Sequence, residues 1–232
     1  MFSLFLLILL CIFAFYWHRI YSLIQISKTL VAFAQPYSLS GSSTWVSLLV
    51  LGDSTAVGVG AETPIDSIAG RLSNYIWATR VENHWVSGAV MADMPAQLKK
   101  IEGKEYDYIL LQIGGNDMVQ LHTVKTVTAE FKKVLESLPK RKKLIVTSCG
   151  NLGGARIFPR LIGMYYEKVS RNYHSRFRTL VQKYNGIYID LFEKHSVDPF
   201  VIEPDKYLAK DYFHPSSVGY AYWFKKVVES ME

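Results

Sequence analysis

The amino-acid sequence predicts an α/β protein. It reads as one parallel, five-stranded sheet of flavodoxin-like order with helices on both faces, preceded by an N-terminal membrane helix. Three observations carry this. From Trp45 onward, short β-branched or apolar runs alternate with amphipathic stretches, the pattern of strands joined by crossover helices. The chain has 232 residues, 50% hydrophobic and 20% charged, which excludes disorder and suits one α/β domain plus an appendage. The segment from Phe2 to Trp17 carries no charge.

That first segment is taken in order. Sixteen helical residues span ~24 Å, and continuation through Ile20 approaches a ~30 Å hydrocarbon core. Tyr16, Trp17, His18 and Arg19 then form an aromatic and basic interfacial cluster. A cleaved signal peptide competes with this reading. However, no Lys or Arg precedes the apolar run, and the cleavage-like Ala32-Phe33-Ala34 lies far beyond it. Residues 1–19 are therefore expected to form an uncleaved anchor. Arg19 and Lys28 follow the segment, so the positive-inside rule favours a cytoplasmic domain. Residues 20–44 are expected to hold an amphipathic stretch, Ile20–Ala34, lying on the bilayer or packed on the domain, and then a Ser/Gly-rich linker from Pro36 to Thr44.

The domain proper is expected over 45–232. Its strands are read at Val46–Leu51, Val81–Val86, Tyr108–Ile113, Leu144–Thr147 and Ile187–Leu191. Its helices are read at Ile65–Thr79, Ala96–Glu102, Val124–Leu138, Tyr165–Tyr184 and Val218–Met231. The two cysteines, Cys11 and Cys149, exclude a disulfide framework and a cysteine-based zinc site. The net charge of +6 suits an anionic membrane surface, but taken alone it reads as an ordinary solvated basic surface. With no aromatic-basic RNA motif and no zinc-finger spacing, nucleic acid is not an expected partner.

In such a sheet, function gathers beyond the carboxyl ends of the strands. The first strand is followed by Gly52-Asp53-Ser54-Thr55. A small-residue turn there exposes a serine hydroxyl, and free helix N–H groups point to the same place. The same composition also makes an ordinary tight turn. Neither the Walker pattern nor the dinucleotide fingerprint fits its glycines. The second strand is followed by Ser87-Gly88-Ala89, where Gly88 offers a backbone N–H to a developing oxyanion or simply ends a strand. The third is followed by Gly114-Gly115-Asn116-Asp117, where Asn116 supplies a neutral amide donor or an Asx turn. Near the C-terminus, Asp211-Tyr212-Phe213-His214-Pro215 allows His214 to donate one ring N–H to Asp211 and keep the other nitrogen as a base. Pro215 is placed to open the final helix. Each block alone has a bland turn reading. Together they hold a nucleophile, oxyanion donors and an oriented base, the set that acyl transfer demands.

Taken in chain order, Gly52-Asp53-Ser54, Gly88, Gly114-x-Asn116-Asp117 and Asp211-x-x-His214 resemble the SGNH hydrolase superfamily, also called GDSL-like lipases and esterases. The resemblance covers Val46 to the C-terminus, with Thr55 where the family's first block has leucine. It implies a three-layer α/β/α fold and cleavage of esters or thioesters with no metal or other cofactor. It further implies Ser54 as nucleophile, His214 as base and Asp211 as its orienting carboxylate. The Ser54 N–H, the Gly88 N–H and the Asn116 side chain would form the oxyanion hole, and Asp53 would tie the turn together. The expected partners are an acyl ester substrate and, through the N-terminal segment, a membrane.

Weaker features complete the reading. The long, partly apolar run Gly150–Gly163 is expected to wall or cover an acyl pocket. Arg156, Arg160, Lys168, Arg171, Arg176 and Arg178 form a basic flank that reads mostly as a solvated helix face, with contact to anionic headgroups or a phosphate-bearing substrate as the alternative. His174 is expected to be exposed on that helix. Three functions compete: a membrane-anchored esterase, an acyltransferase using the same site with a sugar or lipid acceptor, and a binding module. The full Ser54, His214 and Asp211 set argues against the last.

Overall fold

A computed structural model describes residues 2–41 and 45–232. The chain begins with helix α1 (Phe2–Phe33), then strand β1 (Leu39–Ser40), β2 (Ser47–Gly52), α2 (Ser54–Val57), α3 (Ile68–Tyr75), β3 (Arg80–Asn83) and α4 (Met94–Leu98). It continues through β4 (Tyr106–Gln112), α5 (Gly115–Val119), α6 (Val124–Ser137), β5 (Arg141–Thr147), α7 (Arg160–Lys183), β6 (Ile187–Ile189), α8 (Pro199–Ile202), α9 (Pro204–Tyr207) and α10 (Ser217–Met231).

The strands form one sheet in the order β1-β3-β2-β4-β5-β6. Strand β2 is buried along its whole length, as a parallel strand covered on both faces must be, so it reads as an unbroken apolar run. Alternate residues serve opposite faces. Leu49, Leu51, Ile109 and Leu111 join Phe131 of α6 and Phe177 of α7 in one core. Leu48, Val50 and Leu110 join Leu72 of α3 and Trp223 of α10 in the other. Two helical layers thus enclose the sheet, the expected three-layer α/β/α architecture.

The expected five strands are present in flavodoxin-like order, but the sheet has a sixth member. Strand β1 pairs antiparallel with β3 through Leu39↔Val81 and Ser40↔Arg80, so the sheet is mixed. Two residues carry no readable period, and their Ser/Gly-rich surroundings read as linker. Ser42–Thr44, the end of that linker, lie outside the described residues. A short edge strand is a common way to blunt a sheet edge.

The N-terminal helix also differs from expectation. It does not end near residue 19 but runs unbroken for 32 residues, ~48 Å at the α-helical rise. Within it, Leu6–Phe33 is long and apolar enough to cross a membrane, with a mean hydropathy of 1.7; a signal sequence passes the same test. The stretch expected to lie apart at Ile20–Ala34 is therefore the carboxyl half of α1. There Leu23 is buried, and the Arg19 guanidinium donates to the Arg156 carbonyl at 2.7 Å, seating the helix on the loop before α7.

Strands β3 and β4 flank β2 on opposite sides, so the order switches at β2, where a crevice opens beyond the carboxyl ends. Gly52 closes β2 with φ at 142°. A Cβ there would sit 1.9 Å from the Gln112 carbonyl oxygen of β4, so only glycine lets the two strand ends approach. The serine turn leaves the sheet from this point.

Candidate active site

The turn after β2 is held from both sides. The buried Gln97 side chain accepts from the Gly52 N–H and donates to the Gly52 carbonyl, both at 2.9 Å. Asp53 caps α2, its Oδ1 accepting from the Thr55 N–H and the Thr55 hydroxyl, both at 2.9 Å. Burial pushes the Asp53 carboxyl up to about 6, against the pull of those two Thr55 hydrogen bonds. Ser54 is the first residue of α2, so its N–H has no partner within the helix.

The loop from Asp211 to His214 is pinned at its base by hydrogen bonds from the Ala209 N–H to the His214 carbonyl, 2.8 Å, and from the Ser216 N–H to the Tyr207 carbonyl, 2.9 Å. Asp211 is completely buried. Its Oδ1 accepts the N–H groups of Phe213 and His214, each at 3.0 Å, and its Oδ2 lies 2.6 Å from His214 Nδ1. Burial pushes this carboxyl up, but the His214 ring and the backbone donors outweigh it and hold Asp211 below the usual carboxylate range. An ionised carboxylate only accepts, so Nδ1 carries the ring proton and Nε2 is left as an acceptor. That Nε2 lies 2.9 Å from Ser54 Oγ. Pro215 does not open the last helix; Ser216 caps it, accepting from the Gly219 N–H.

Gly88 lies in the loop after β3 with φ at 76°, a conformation that favours glycine. Among the described residues its backbone N–H has no acceptor. Asn116, in α5, donates from Nδ2 to the Ala89 carbonyl at 3.0 Å, which ties α5 to the Gly88 loop and leaves the second amide hydrogen on that nitrogen uncommitted. The neighbouring Asp117 is completely buried. It accepts the Met91 N–H at 3.0 Å and faces His122 Nδ1 at 3.2 Å. The structure thus brings Ser54, Gly88, Asn116 and His214 to the rim of one cavity of about 590 Å³, with Asp211 behind His214.

The run Gly150–Gly163 supplies one wall of that cavity through Ile157, Phe158, Pro159 and Ile162, and Phe158 packs on Tyr166 with ring centroids 4.6 Å apart. Sequence reading missed three features. Gln97 clamps a strand 45 residues away and leaves no local signal. Helix α1 also lines the cavity. His174 is not exposed but buried on the inner face of α7, with Nε2 donating to the Cys149 carbonyl at 2.8 Å; burial lowers its pKa to about 4. The stripe Tyr166, Ser170, Tyr173, Phe177 and Val181 marks that face, and the arginines around it obscure it. Of those arginines, Arg171 pairs with Glu167 and Arg178 with Asp190.

The description of the GDSL-like Lipase/Acylhydrolase family matches residues 50–222. A search of curated proteins by sequence found no match. Among solved structures, a catalytic mutant of Axe2, an acetylxylan esterase from Geobacillus stearothermophilus, is similar with a TM-score of 0.59 and 17% identity. It covers 83% of this chain and 96% of its own. Phospholipase A1 from Streptomyces albidoflavus NA297 has a TM-score of 0.61 and 15% identity, over 80% of this chain and 99% of its own. An extracellular lipase from Streptomyces rimosus has a TM-score of 0.59 and 15% identity, over the same shares of the two chains. At these identities the likeness is one of fold.

Proposed function

The chain belongs to the GDSL-like lipase/acylhydrolase family of SGNH hydrolases, and on that premise we propose that it cleaves carboxylic ester or thioester bonds through an acyl-enzyme on Ser54. The observation that carries this is the hydrogen-bonded chain from Asp211 through His214 to Ser54, with contacts of 2.6 Å and 2.9 Å. His214 Nε2 takes the hydroxyl proton as Ser54 Oγ attacks the acyl carbon, and Asp211 stabilises the imidazolium that forms. The oxyanion is received by the Ser54 and Gly88 N–H groups and by Asn116 Nδ2, donors held in place before the charge appears. His214 then protonates the leaving alcohol or thiol. Water, activated by the same nitrogen, attacks the acyl-enzyme and frees the acid and Ser54. No cofactor takes part in this scheme.

We read α1 as an uncleaved anchor carrying this domain. Arg19 and Lys28 follow its most apolar part and favour a cytoplasmic domain. An acyltransferase would use the same three side chains and differ only in the acceptor. The test is turnover of p-nitrophenyl acetate and longer p-nitrophenyl esters by the full chain in detergent, beside Ser54→Ala. Released p-nitrophenol and free acid from the wild type alone support the hydrolase. An acyl group recovered on an added alcohol instead of in free acid favours the transferase. No turnover of any ester by the folded wild type contradicts the proposal.

A further inference from the structure

The catalytic domain does not close its own pocket. Ile20, Ile24, Lys28 and Val31 of α1 line the same cavity as Ser54 and His214. Their spacing of three and four residues places them on one helical stripe. The same cavity is also lined by the apolar set Ile157, Phe158 and Ile162. Arg19, bonded to the Arg156 carbonyl, seats the helix beside that set.

Among the described residues, the same helix is the one long and apolar enough to cross a membrane. If its first ~19 residues fill the ~30 Å hydrocarbon core, Tyr16, Trp17 and Arg19 stand at the interface and the stripe rises directly from it. From Ile20 to Val31 the stripe is ~16 Å long at the helical rise, about half the ~30 Å core and so the depth of one leaflet. The cavity volume, about 590 Å³, lies in the usual range for small-molecule pockets.

Resting on the esterase reading, we propose that α1 is part of the substrate site and that the substrate is a long-chain acyl ester resident in the bilayer. Its acyl chain lies between the Ile20–Ile24–Val31 stripe and the Ile157–Phe158–Ile162 wall, with the scissile carbonyl at Ser54. The chain passes from leaflet to pocket along a surface that is apolar apart from Lys28, whose methylene stem can flank the acyl chain while its ammonium turns to water. The anchor then selects substrate as well as holding the enzyme at the membrane.

The test uses the full chain in phosphatidylcholine vesicles with p-nitrophenyl palmitate and p-nitrophenyl acetate as substrates. Wild type is expected to favour the palmitate in kcat/KM. Ile24→Trp narrows the groove and should lower the palmitate-to-acetate ratio by about tenfold or more, the scale on which apolar pockets discriminate chain size. Gln25→Trp, adjacent in sequence but absent from the cavity lining, should leave the ratio unchanged. A fluorophosphonate probe reports whether each variant still presents a reactive Ser54. An Ile24→Trp protein that labels normally and keeps the wild-type ratio overturns the proposal and leaves the esterase reading intact. A wild type that prefers the acetate overturns it equally. Absence of both labelling and turnover in a folded wild type removes the esterase reading itself, and this inference with it.

Discussion

The His214 imidazole meets the Ser54 hydroxyl at 2.9 Å although 160 residues separate them in the chain. The sheet makes this possible. Gly52 delivers Ser54 at the carboxyl end of β2, while the loop before α10 returns His214 to the same edge. Neither turn needs the other to form, since each is closed by its own short-range bonds, Asp53 to Thr55 and Asp211 to the His214 N–H. The encounter is therefore set by topology.

Asp211→Asn keeps the shape of the loop but allows the wrong imidazole tautomer. Ester turnover should fall by about 10⁴-fold, measured as kcat on p-nitrophenyl acetate. The carboxyl is held below its ordinary value, so the stability it contributes is present above ~3.9, its unfolded-state pKa. That contribution is lost as pH falls through the lower folded-state value. Denaturation midpoints followed below pH 4 should show this loss in wild type and lack it in the variant.

On the proposed mechanism, Asn116→Ala removes one oxyanion donor. A fall in kcat of about 10²- to 10³-fold with little change in KM is expected, because the interaction strengthens only as the oxyanion forms. A variant that raised KM alone would place Asn116 in substrate binding instead.

Gln97→Ala leaves the buried Gly52 N–H without its side-chain partner, while the Gly52 carbonyl keeps the Val86 N–H at 3.0 Å. A loss of about 1–3 kcal/mol in urea unfolding is expected for the orphaned N–H. Activity should fall with it, since Gly52 directly precedes the Asp53–Ser54 turn.

Asp198 is buried at the cap of α8, accepting the Phe200 N–H at 3.0 Å, and burial lifts its carboxyl to about 7. A raised carboxyl holds its proton more tightly in the folded state, so stability falls as pH rises from ~3.9 toward 7. Asp198→Asn keeps a capping oxygen and removes the charge. Its Tm should exceed that of wild type at pH 8 by a few degrees, and the difference should vanish near pH 4. Equal gains at both values would show that charge burial is not the cause.

Much of this architecture is legible in the chain. Leu48–Leu51, Ile109–Leu111 and Leu144–Val146 read as strands because each is apolar throughout, the mark of a parallel strand buried on both faces. The turns holding Ser54 and His214 are legible because their stabilising contacts are local, two or three residues apart. Features set by distant partners are not. Strand β1 exists only through its pairing with Val81, and Gln97 matters only because Gly52 packs beside it. The stripe on α1 reads equally as lying on the bilayer or packed on the domain until Ile157–Ile162 share a cavity with it. His174 is hidden in a different way: its buried stripe is interleaved with arginines, and charge dominates the local pattern.

The account rests on Ser54 being the group that takes the acyl carbon. The most direct measurement is intact-mass and peptide mapping of the full chain after treatment with a fluorophosphonate. A single phosphonyl adduct on Ser54, absent from Ser54→Ala and greatly slowed in His214→Ala, is the predicted result. An adduct on another residue, or equal labelling of wild type and Ser54→Ala, would contradict it.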